Sequence, residues 1–182
     1  MKKNTQKALA FMAFTLFLSG CANSVPSSEN TSSIRNNNAQ VTTKNQDPCT
    51  IIPSETIREI MNEEYTSEKL SGSVPSCIFK AKAKPSRSLT AILKFEDSTQ
   101  IAKAGYESSK EFQLQNLDLS LFKTIEISGY GDAAFGWYSK AITQVIAYKN
   151  TKYLVTSGTG FETAEKSLEK AKNLMKEYLN RI

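Results

Sequence analysis

Near the C-terminus, Ala164, Leu168, Ala171, Met175, Tyr178 and Ile182 recur at alternating spacings of four and three residues. At 3.6 residues per turn, positions spaced this way share one face of a helix. Glu162 and Glu165 stand at the start of the stretch, and Lys172, Lys176 and Arg181 near its end. That is the charge order a helix dipole favours. Thr159-x-x-Glu162 reads as a capping box. An isolated helix of this length is marginal in water, so its apolar face needs another element to cover it. A coiled coil is the alternative, but the run is under three heptads. The spacing therefore predicts a long amphipathic helix lying on a sheet.

The sheet is legible as alternation. Cys77, Phe79, Ala81 and Ala83 alternate with Lys80, Lys82 and Lys84. That pattern predicts a half-buried strand with its lysines outward. Pro85-Ser86-Arg87 turns the chain, and Leu89, Ala91, Leu93 and Phe95 form a second strand. Ile125 and Ile127 suggest a strand ending at Gly129, and Ala133 to Ser139 reads as extended. Val145 and Ala147, then Tyr153 and Val155, flank Asn150-Thr151 as a hairpin. Two further helices are expected. One opens at Pro53-Ser54 and buries Ile57, Ile60 and Met61. The other starts with a capping box at Asp97-x-x-Gln100 and presents Ile101, Gly105 and Phe112, with Tyr106 beside them. The fold class expected is α+β, an antiparallel sheet of five to six strands packed with three helices.

The N-terminus carries a different message. Lys2, Lys3 and Lys7 precede an uncharged apolar run from Ala8 to Leu18, which ends in Leu18-Ser19-Gly20-Cys21. The run is too short to span a bilayer but suits a secretion signal. The four residues resemble the bacterial lipobox, which implies cleavage before Cys21 and lipid on its sulfur. Two acyl signals suffice for stable attachment, at about 0.8 kcal/mol per buried methylene. Residues 1–20 are expected to be the signal, 21–46 the lipidated Cys and a tether, and 47–182 one globular domain. The tether is rich in Ser, Asn and Thr, and too poor in large apolar residues to offset its ordering entropy. Ala22 follows the Cys, and by analogy with lipoprotein sorting the absence of Asp there favours the outer membrane of a cell with two. Without Lys2, Lys3 and Lys7 the 23 basic residues fall to 20 against 18 acidic ones, a net charge of +2. Nucleic acid is therefore not an expected partner.

With Cys21 carrying lipid, Cys49 and Cys77 remain as a pair in an exported chain, and a disulfide is expected. Closing a loop of roughly 29 residues is worth about 3–4 kcal/mol in the chain-entropy picture.

The chain has no His. That removes Ser-His-Asp triads, Cys-His dyads and imidazole metal sites. If Cys49 and Cys77 are bonded, no thiolate nucleophile remains. No cofactor, metal or catalytic residue is expected. Gly129-Tyr130-Gly131-Asp132-Ala133-Ala134 fits a dinucleotide pattern, but Phe135-Gly136-Trp137-Tyr138 follows as strand where that fold needs a helix. Ser167-x-x-Lys170 lacks the partner motifs its chemistry requires. Lys80, Lys82 and Lys84 form a basic stripe, readable as an anion-binding row or as a solvated face protecting an edge strand. The segment from Tyr130 to Tyr138 holds the one Trp among glycines. It reads either as a binding surface built on Tyr130, Asp132, Trp137 and Tyr138, with Trp137 partly exposed, or as a core strand entered by a tight turn.

Asp47-Pro48-Cys49 leading into a helix, Cys77 opening a strand, Gly131-Asp132-Ala133-Ala134, then a hairpin and a terminal helix, resemble a family of small bacterial envelope lipoproteins best known from actinobacteria. The similarity spans about Asp47 to Ile182. It implies a disulfide-bearing, lipid-anchored domain outside the cytoplasm with no assigned activity. The same arrangement is similar to extracellular sensor domains, which implies ligand binding. The functional expectation is a non-catalytic binding module for an envelope protein, glycan or small ligand. The alternative is a carboxylate-dependent hydrolase of an envelope polymer, which needs two acids about 5–10 Å apart in a cleft.

Overall fold

The computed structural model describes residues 46–182. Cys21, the signal and the tether up to residue 45 lie outside the described residues. The chain forms α1 (Pro48–Ile51), α2 (Ser54–Met61), β1 (Tyr65–Lys69), β2 (Ser76–Ala81), β3 (Ser88–Phe95), α3 (Thr99–Asn116), β4 (Lys123–Ile127), β5 (Ala133–Tyr138), β6 (Ile142–Lys149), β7 (Lys152–Thr159) and α4 (Ala164–Arg181). The strands make one sheet in the order β1-β2-β3-β7-β6-β5-β4. All neighbours are antiparallel. The topology is two meanders, β1–β3 and β4–β7. Helix α3 carries the chain to the far edge, and β7 returns to pair with β3 from Ser88↔Thr159 to Phe95↔Lys152.

Period-2 alternation gives the sheet two buried faces. On one, Phe79, Leu89, Ala91, Leu93, Val145, Ala147 and Leu154 meet α2 and α4. On the other, Phe135, Trp137, Ile146, Tyr148 and Val155 meet Ala102 and Tyr106 of α3. The fold is α+β with an antiparallel sheet and a long C-terminal helix, and the described residues form seven strands and four helices rather than five to six and three. The added strand is β1, whose sequence Tyr-Thr-Ser-Glu-Lys lacks apolar alternation. Its extended form comes from pairing with β2. The added helix is the single turn α1, capped by Asp47, whose side chain accepts from the Cys49 amide at 2.9 Å.

Both expected capping boxes move. The α3 cap is Ser98, accepting from the Ile101 amide, and the α4 cap is Thr163, accepting from the Lys166 amide. Thr159 is instead held at the end of β7, its hydroxyl 2.9 Å from that of Ser88. The buried side of α3 is also not the expected one. Ala102 and Tyr106 are buried, while Ile101 and Phe112 are 47% and 51% exposed. Tyr148 and Tyr153 rise from the sheet and decide this orientation. Tyr148 packs against the Tyr106 ring, and the Tyr153 hydroxyl donates to Ser109.

The disulfide between Cys49 and Cys77 is present, with Cα atoms 5.2 Å apart. It staples α1 to β2. Nearby, the buried Tyr178 hydroxyl of α4 donates to the Pro48 carbonyl. The start of the domain is thus fixed to the sheet covalently and to α4 by a hydrogen bond. No helix among the described residues is long and apolar enough to cross a membrane.

Burial raises the ionisation of Tyr178 above its ordinary value, and pushes that of Tyr106 up to about 12. In the unfolded chain a tyrosine ionises near pH 10. The protonated phenols therefore contribute stability below pH 10 that is lost as pH rises through the higher folded values. Tyr178→Phe is expected to cost about 1 kcal/mol at pH 7, from the lost bond to Pro48. It is also expected to lose less stability than the parent between pH 10 and 12. Urea unfolding at both pH values checks it; a parallel fall in parent and variant would refute the assignment to Tyr178.

Candidate functional site

The segment Ser128 to Asp132 joins β4 to β5, and its backbone needs left-handed conformations. Gly129 and Gly131 have φ of 78° and 63°. At Gly131 a second demand applies: a Cβ there would lie 2.3 Å from the Tyr148 carbonyl oxygen. Only glycine lets this turn press against β6. Asp132 then fastens it twice. Its amide donates to the Tyr148 carbonyl at 2.8 Å, and its Oδ2 accepts from the Asn150 amide at 2.7 Å. Asn150 is itself left-handed, φ 54°, in the β6–β7 turn. One aspartate thus locks two neighbouring turns together.

Helix α4 ends beside these turns. The Lys149 ammonium donates to the Leu179 carbonyl, an acceptor in the helix's last turn. Between the β4–β5 turn and the helix end lies an open depression of about 240 Å³. Gly129, Tyr130, Gly131, Asp132, Lys149, Lys176, Leu179 and Asn180 line it. Tyr130 is half-buried against the helix-side core, and burial raises its ionisation. The Lys172 ammonium sits 5.7 Å from its ring centroid, within cation–π range.

The nine-residue aromatic segment therefore divides into three environments. Tyr130 and Asp132 line the depression. Trp137 does not: it is 7% exposed on the α3 side of the sheet, edge-on to Phe122 with ring centroids 5.3 Å apart. The expectation of a partly exposed Trp137 is corrected, because strand alternation turns its ring into the core under α3. Tyr138 stands at the opposite end of β5, with the Lys123 ammonium 6.0 Å from its ring. Five residue steps of about 3.3 Å each separate Ala133 from Tyr138, so Asp132 and Tyr138 cannot both touch one small group in the depression.

Other sequence features find structural roles. The glycine pattern is a turn running into β5. Ser167 lies on the buried face of α4, and Lys170 of the same helix donates to the Ile60 carbonyl. The basic stripe is partly neutralised by β1 and the residue before it: Lys80 pairs with Glu68 at 2.7 Å, and Lys82 approaches Glu64 at 3.9 Å. Sequence reasoning missed Lys149, Lys176, Leu179 and Asn180. None carries a local signal, since lysines at a hairpin end and on a polar helix face are ordinary.

No family model and no curated protein matches this sequence. Among solved structures, a GTP-binding regulator of Thermotoga maritima is similar at 11% identity, TM-score 0.33, over 69% of this chain and 87% of that one. Cyanobacterial PsbP of Synechocystis sp. PCC 6803 is similar at 10% identity, TM-score 0.31, over 64% and 79%. Likenesses this distant carry no statement of function.

The turn geometry makes a contrast testable. Gly131→Ala is expected to destabilise the domain by about 1–3 kcal/mol from left-handed strain alone, with the carbonyl collision added. Gly129→Ala meets no atom within 4 Å and should cost less. Thermal unfolding of the two variants measures the difference, and equal losses would mean the approach to Tyr148 is unimportant.

Proposed function

We propose that this chain is a lipid-anchored envelope protein whose globular domain binds a partner or ligand rather than catalysing a reaction. The anchor reading rests on the basic start, apolar run and Leu18-Ser19-Gly20-Cys21. The binding reading rests on one observation above the others: the depression between the β4–β5 turn and the end of α4 gathers Tyr130, Lys149 and Lys176 around a rigid double turn. Lysine ammoniums with an aromatic wall suit recognition. Asp132 is the one acid lining the depression, and one of its oxygens is engaged by the Asn150 amide. A two-carboxylate hydrolase would need a second acid across the cleft. The placement fits a tethered receptor as well. Tyr178 holds Pro48 and the next residue, Leu179, holds Lys149, so the depression lies at the end of the domain where the chain enters.

Two measurements test the two halves. Mass spectrometry of the mature protein is expected to find an acylated N-terminal Cys21; an unlipidated chain beginning elsewhere would end the anchor reading. A photo-crosslinking residue at Asn180, in cells, is expected to yield a discrete adduct that is absent when the same residue is placed instead at Lys103 on α3. Equal labelling at both positions, or none at Asn180, would remove the depression as the binding site.

A further inference from the structure

We infer that the turn between α3 and β4 docks on a phospholipid bilayer, inserting Leu119 and Leu121 as a second contact beside the lipid on Cys21; this rests on the anchor half of the proposed function. Leu119 and Leu121 are 62% and 67% exposed, the highest values among the large apolar side chains of the described residues. The turn holds them out rather than leaving them loose. The Leu121 and Phe122 amides donate to the Asp118 carbonyl at 2.8 and 3.0 Å, and the Ser120 amide and hydroxyl donate to Asp118 Oδ1 at 2.9 and 2.6 Å. On either side, Leu117 and Phe122 pack against the α3-side core, Phe122 edge-on to Trp137. Neither leucine can fold back without breaking these ties. Two leucines at the tip of a turn offer far less than the roughly 800 Å² per partner that a stable protein interface buries. A bilayer needs no complementary surface, and apolar side chains gain there by leaving water. The residues around the tip fit the membrane interface. Lys123 and Tyr138 are register partners at this end of the sheet, and Lys140 lies in the β5–β6 turn beside them. Among the described residues neither lysine is in an ion pair, and together they outnumber Asp118, the one acid of the turn. Lysines and tyrosines beside an apolar tip settle at headgroup depth, where anionic lipid attracts the ammoniums. Pro48 is held by the last turn of α4, at the far end from this tip. The 26 residues from 21 to 46 extend to at most about 90 Å, against roughly 26 Å for an eight-residue strand, so the anchor does not keep the tip from the bilayer.

The test reads acyl-chain contact in the mature, lipidated protein reconstituted in phosphatidylcholine vesicles, with and without phosphatidylglycerol. Leu119→Trp places an indole at the tip, and the parent protein, whose single Trp137 is buried, supplies the background. Lipids brominated on the acyl chain are expected to quench this added indole but not the one in Lys103→Trp on α3. Leu121→Asp, a change at an exposed position, should lower the ratio of docked to undocked protein about tenfold, from the lost burial of one leucine. Lys140→Gln should lower it about fivefold, and only with phosphatidylglycerol present. No quenching in the lipidated protein, equal quenching at Lys103→Trp, or quenching that survives Leu121→Asp overturns the inference and leaves the anchor standing. Emission that shifts with protein concentration in micelles, and not with brominated lipid, assigns the tip to a second copy of the chain and overturns it too. If the chain proves unlipidated but is quenched on addition to the vesicles, the docking tip stands and only the anchor falls. If it is unlipidated and unquenched, both fall.

Discussion

The seam between α4 and the centre of the sheet is the contact on which the other parts depend. Leu174, Met175 and Tyr178 are fully buried there, and Leu168 and Leu179 nearly so. Each such side chain contributes about 1.5–3 kcal/mol of burial. The approach is close because β7 offers little bulk. A Cβ at Gly158 would lie 2.8 Å from the Ser167 carbonyl, and the Thr156 hydroxyl donates to the Ala171 carbonyl at 2.8 Å. Glycine admits the helix, and threonine supplies a bond that a buried hydroxyl would otherwise lack. The strand that carries both residues, β7, is also the one that joins the two meanders. One strip of backbone therefore closes the sheet and seats the helix.

The helix in turn distributes order to both ends of the domain. At its start, Arg87 reaches Glu63 and Glu162 and lies over the Phe161 ring, 5.8 Å from its centroid. This ties the α2–β1 connection, the β2–β3 turn and the β7–α4 connection together. Arg87 and Glu63 are both mostly buried, so their pairing is less screened than the exposed pairs along β1. At its end, Tyr178 holds Pro48, at the start of the described domain, and Leu179 holds Lys149. The candidate site is formed where this second set of ties meets the Gly129–Asp132 turn.

That location gives the site rigidity without depth. Its walls are turns bonded to one another and a helix end bonded to a lysine, so little ordering is left to be lost on binding. Its volume and openness limit it to a group rather than a whole molecule. Specificity for anything larger would have to come from surfaces beyond the depression. The exposed Leu119 and Leu121 belong to the α3–β4 connection, at the other end of the strands.

The amino-acid sequence alone determined the α+β class, the terminal helix with Leu168, Ala171, Met175 and Tyr178 on its buried face though not Leu174 and Leu179, the β6–β7 hairpin and the pairing of Cys49 with Cys77. Each is written in local periodicity, a turn dipeptide or cysteine arithmetic. Tertiary structure decided the rest. Strand β1 exists because β2 offers it an edge, not because Tyr-Thr-Ser-Glu-Lys is strand-like. Helix α3 turns Ile101 outward because Tyr148 and Tyr153 occupy the surface it lies on. The Tyr130–Tyr138 segment was legible as unusual, and its glycines as a turn, but not its division. Trp137 goes to the core by strand alternation, whereas Tyr130 and Asp132 remain in the turn. Lys149 and Lys176 come to line one depression only when α4 is laid along the sheet, and a juxtaposition of residues 27 apart in the chain leaves no mark on the local pattern of either.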